Sequence, residues 1–151
     1  MALAVPLVGF AVSACGETDP ETPSACLGGQ AAFRQALADA PDPVRLEGDV
    51  AISDCLPRNQ GAGPQESVGR NLLLVASGLA EQGAGSGGAD EAALRAGYLV
   101  GAVKVGAEDS EGIHATLLDR VSSAASNHLD RAPAAVREAY EGGLAAGLED
   151  G

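Results

Sequence analysis

Asp90-Glu91-Ala92-Ala93-Leu94-Arg95-Ala96-Gly97-Tyr98-Leu99-Val100-Gly101-Ala102-Val103-Lys104-Val105-Gly106-Ala107 decides the fold class of this chain. Drawn as a helix, the stretch is nearly encircled by Leu94, Tyr98, Leu99, Val100, Val103 and Val105. A helix that is apolar on all sides is one surrounded by protein, so the segment predicts the central helix of a bundle. Lys104 near its close and charges at both ends argue against a membrane span. Gly97 and Gly101 stand four apart and let a neighbouring helix come close, a packing device in a soluble domain.

Working outward, the remaining segments predict helices of ordinary amphipathic pattern. Residues 64–82 open on Pro64, suited to a helix start, and repeat Val68, Leu72, Val75 and Leu79 along one face. Residues 83–88 form a glycine-rich joint. No Gly-Lys-Ser/Thr follows it and no strand precedes it, so it is not a phosphate-binding loop. Ser110 with Glu111 starts a helix to about residue 130, with Ile113, Leu117, Val121 and Ala124 as its stripe. Pro133 opens the last helix, where Val136, Tyr140, Leu144 and Leu148 recur every four residues, and Gly143, Gly147 and Gly151 do the same. Upstream, Phe33, Ala36, Leu37 and Ala40 mark a short helix stopped by Pro41 and Pro43. Residues 44–46 and 50–52 flank Glu47-Gly48-Asp49 as a short hairpin, marginal on its own. The expected fold is all-α: a small bundle of about five helices with one irregular corner near the N-terminus.

Composition sets the character of that bundle. Alanine supplies much of the apolar content, and large apolar residues are few, so the core is expected to be thin and marginally stable. The net charge of −12 repels nucleic-acid phosphates, and no basic stripe is present to bind them. It repels anionic headgroups as well, so membrane attachment requires acyl chains.

The first residues carry an address. From Ala2 to Val12 every residue is apolar or glycine, and no charge appears before Glu17. The run is too short to span a bilayer, and its length suits the apolar region of an export signal. Val12-Ser13-Ala14-Cys15 follows, with Gly16 next. Here the chain resembles the bacterial lipoprotein family, whose lipobox has an aliphatic residue, two small residues and a lipidated cysteine. One departure is the absence of Lys or Arg ahead of the apolar run. The resemblance implies export, acylation of Cys15, cleavage between Ala14 and Cys15, and residence on the outer face of a membrane. Residues 93–129 with the closing glycine repeat are also similar to uncharacterised Ala- and Gly-rich lipoproteins of actinobacterial-type genomes, a group that implies no activity.

This address organises the rest of the chain. Residues 1–14 are expected as the signal peptide, 15–25 as a lipidated, Pro-containing tether, and 26–151 as a single helical domain. With Cys15 assigned to lipid, Cys26 and Cys55 remain as a pair. Two cysteines left in an extracytoplasmic compartment usually bond, and a Cys26–Cys55 disulfide would clamp the irregular corner onto the first helix.

Sites of chemistry are scarce. His114 and His128 fall 14 positions apart on one predicted helix, facing within about 40° but some 21 Å apart along the axis, so they share no metal. Glu111 lies one turn before His114, yet the HExxH spacing is missing. Glu108-Asp109-Ser110-Glu111-Gly112 fails the calcium-loop register because Ala107 takes the first ligand position. Ser13 is consumed by processing, and no G-x-S-x-G occurs elsewhere in the chain. Carboxylates abound, but the shortage of aromatics argues against a sugar-stacking cleft. No catalytic residues, metal or cofactor are therefore expected. The expected role is a non-enzymatic envelope module held by acyl chains on Cys15, with another envelope protein as partner. The alternative is a small metal- or ligand-binding protein with a pocket near His114 and Tyr98.

Overall fold

The computed structural model describes residues 21–85 and 87–151. The expected signal peptide, Cys15 and the start of the tether lie outside them. Among the described residues five α-helices follow in order: α1 (Gly29–Ala36), α2 (Ala62–Gly83), α3 (Ala89–Asp109), α4 (Ala115–Ser126) and α5 (Ala134–Asp150). The fold is all-α, and among the described residues no helix is long and apolar enough to cross a membrane.

α3 holds the centre. Every residue from Ala96 to Val103 is buried, because α2 and α4 pack on one side of it and α5 on another. α2 runs antiparallel to α3 across the joint, with Gly83 beside Ala93. α4 lies parallel to α2, as Gly69 faces Leu117 near one end and Leu79 and Ala125 line the same cleft near the other. α2 buries Val68, Leu72, Val75 and Leu79 as its spacing requires, with Ala76 and Ala80 between them. It begins two residues before Pro64, which still sits in the first turn, where a missing N–H is harmless.

The α3–α5 pair is built on glycine. A Cβ at Gly97 would fall on the Tyr140 carbonyl oxygen, one at Gly143 on that of Leu94, and one at Gly147 on that of Tyr98. The register advances four residues on each helix at once, so the two run parallel. The last helix therefore turns inward differently from its pattern. Leu148 is exposed and Tyr140 and Leu144 are only half-buried, while Val136, Gly143 and Gly147 face the core. The large residues flank a seam too narrow for side chains. Burial also lifts the Tyr140 hydroxyl pKa above the ordinary tyrosine value.

The expected hairpin reduces to one antiparallel bridge, in which Leu46 N donates to Val50 O at 2.8 Å. Gly48 and Asp49 take positive φ in the turn. No strand forms among the described residues, because this short corner is held by the core instead. Val44, Leu46, Ile52 and Leu56 are buried, and Gly106 of α3 admits Ser53 and Leu56. Val44 N donates to the Tyr98 hydroxyl at 2.9 Å inside the core. Tyr98→Phe leaves that N–H without a partner, and a loss of about 1–3 kcal/mol is expected in urea unfolding. A loss under about 0.5 kcal/mol would show that the amide finds another acceptor.

The expected helix over residues 110–130 is the clearest difference. α3 runs on to Asp109, Glu111 and Gly112 adopt positive φ, and α4 covers only Ala115–Ser126. Ser110 donates its hydroxyl back to Ala107 O at 2.8 Å, closing α3, and accepts from His114 N at 3.4 Å across the turn that precedes α4. Ile113 leaves the predicted stripe and is exposed in the turn.

Candidate functional site

Two ends of the bundle differ in construction, and the tied end comes first. Cys26 and Cys55 are bonded with Cα atoms 5.5 Å apart and are both fully buried. They join the 3-10 turn Ser24–Leu27 to the 3-10 turn Ser53–Cys55. Gln60 Nε2 donates to Thr22 Oγ1 at 2.9 Å and to Cys55 O at 2.8 Å, so the chain is already held at Thr22, inside the segment expected as tether. Arg45 Nη1 donates to Val44 O and to Asp150 O, each at 2.8 Å, latching the end of α5 to the same corner. Arg58 donates to Asp109 O and pairs with Glu111, also at 2.8 Å each.

His114 belongs to this end. It precedes α4 and is 1% exposed, and its Nε2 lies 3.3 Å from Pro57 O. That contact requires a proton on Nε2. The other ring nitrogen, Nδ1, has no hydrogen-bond partner among the described residues. Glu111, the acid expected near it, points to Arg58 instead. His114 helps line a groove of about 410 Å³ between α2 and α4, whose lining carboxylate, Glu66, pairs with Arg70. Tyr98 does not line that groove, and its hydroxyl serves Val44. Among the described residues no three His, Cys, Asp or Glu side chains converge as a metal site would need. His128 is exposed beyond the end of α4, so the two histidines share no helix.

The other end is open. A cleft of about 320 Å³ lies where α2 ends, α3 begins, α4 ends and α5 begins. Leu79, Ala93, Ala96, Ala125 and Val136 form its buried floor, and His128 and Arg131 are exposed at its mouth. Sequence reasoning missed this cleft. Its walls come from four separate segments of small residues, and no spacing rule connects them.

Compared with known proteins, the chain matches no family model, no curated protein and no solved structure.

Proposed function

We propose that this chain is an extracytoplasmic lipoprotein, held on the outer face of a membrane by acyl chains on Cys15, whose helical domain serves as a non-enzymatic interaction or structural module of the cell envelope. The observation that carries the reading is Val12-Ser13-Ala14-Cys15 directly after an uncharged apolar run. The cysteine arithmetic supports it. Of three cysteines, Cys26 and Cys55 are bonded to each other, which leaves Cys15 as the one available for acylation. A buried disulfide also suits an oxidising compartment. The partner reading rests on charge: a surface at −12 keeps the domain off anionic lipid and leaves proteins as the accessible neighbours.

Metabolic labelling with an alkyne fatty acid tests the anchor. The wild-type chain is expected to take up label and stay with membranes, while Cys15→Ser takes up none and appears in the medium. Equal labelling of the two, or equal release, would remove the reading.

A further inference from the structure

We propose that the cleft at the open end binds a small anionic amphiphile, a medium-chain fatty acid carboxylate, with its tail on the apolar floor and its head at Arg131. Three observations converge on this class. The volume of about 320 Å³ lies at the lower end of the ~300–1,000 Å³ typical of small-molecule sites, room for one short tail. The floor of Leu79, Ala93, Ala96, Ala125 and Val136 offers no side-chain hydrogen-bonding group, which favours an apolar tail over a sugar or other polyol. The mouth reverses the charge of the molecule. The chain has 21 acidic residues, yet none lines this cleft, whereas Arg131 does.

The head-group end is also electrically open. Arg131 makes no ion pair among the described residues. α5 begins beside it at Ala134, after a Pro133 cap that supplies no side-chain acceptor, and its first turn holds no acid. By contrast α3, which opens at the same end, carries Asp90 and Glu91 in its first turn. The free N–H groups of α5 add to the Arg131 charge on that side of the mouth, opposite the carbonyl ends of α2 and α4. A carboxylate there gains a guanidinium partner while its tail leaves water.

The test uses the full 151-residue chain carrying Cys15→Ser, which bears no acyl group at that position, so its outcome is separate from that of the anchor. Calorimetric titration with decanoate is expected to show saturable one-to-one binding, and decanol to bind several-fold more weakly. Arg131→Gln should weaken decanoate by about fivefold, as for an exposed charge pair, and Arg131→Lys should recover part of it. Ala132→Phe, at the half-exposed mouth, should abolish binding with the thermal midpoint of the free protein preserved. Absence of saturable binding, equal affinity for decanol, or wild-type affinity in both Arg131→Gln and Ala132→Phe would overturn the assignment.

Discussion

Gly147→Leu should cost more than about 4 kcal/mol and release α5 from α3. At this position even a single methyl would meet the carbonyl of Tyr98, and the obstacle is backbone, which cannot swing aside as a side chain can. A leucine there forces the two helices apart along their whole contact. Because α5 rests chiefly on α3, little else holds it once the seam opens, apart from the Arg45 latch on Asp150. Thermal unfolding is expected to move down by more than about 8 °C, at roughly 2–8 °C per kcal/mol for domains near this size. Hydrogen exchange should show α5 losing protection first. The neighbouring pair Gly142→Ala and Gly143→Ala supplies the contrast. Gly142 faces open space, so its alanine should stabilise by about 0.5–1 kcal/mol through helix propensity. Gly143 meets the backbone of Leu94, so its alanine should destabilise by about 1–3 kcal/mol despite the same propensity gain. Equal effects at the two positions would mean that the seam is looser than the geometry requires.

Removing the disulfide is the second large change. The bond spans a sequence separation of 29, and closing a loop of that size stabilises by about 3–4 kcal/mol in the chain-entropy model. A small domain has only ~5–15 kcal/mol in all, so the double variant Cys26→Ala with Cys55→Ala should unfold at markedly lower urea. The effect should be local first. Residues 44–56 have one backbone bridge and no helix longer than a 3-10 turn, so their amides should exchange rapidly while α2 and α3 remain protected. A stability change below about 1 kcal/mol would show that Gln60, Arg45 and the buried Val44, Leu46 and Ile52 hold the corner unaided.

Particular residues show what the sequence made legible. The encirclement of 90–107 by apolar side chains placed α3 at the centre, and the four-residue spacing on α2 placed its buried face, because both depend only on helix periodicity. Gly97 and Gly101 signalled close approach but not its partner. That the partner is α5, and parallel, follows from the interlocking of Gly143 and Gly147 with them, a match between segments some 46 residues apart. The break at Glu111 and Gly112 was hidden because Ser110 with Glu111 also reads as a helix start. The hydroxyl in fact does both, donating backward to Ala107 O and accepting forward from His114 N, and local spacing does not show that a turn separates the two helices there. His114 was visible as a rare titratable residue. Its burial against Pro57 depends on a loop path that local sequence does not encode. The open cleft had no local signal at all.

The glycine seam also turns distance in the chain into a searchable mark. Large apolar residues in a core exchange for one another at modest cost when volume is kept. Positions 97, 101, 143 and 147 have no such freedom, since every other amino acid adds the one carbon that does not fit. A pair of glycines four apart, answered by a second such pair 42 residues after the first ends, is therefore the part of this chain that descent should erase last.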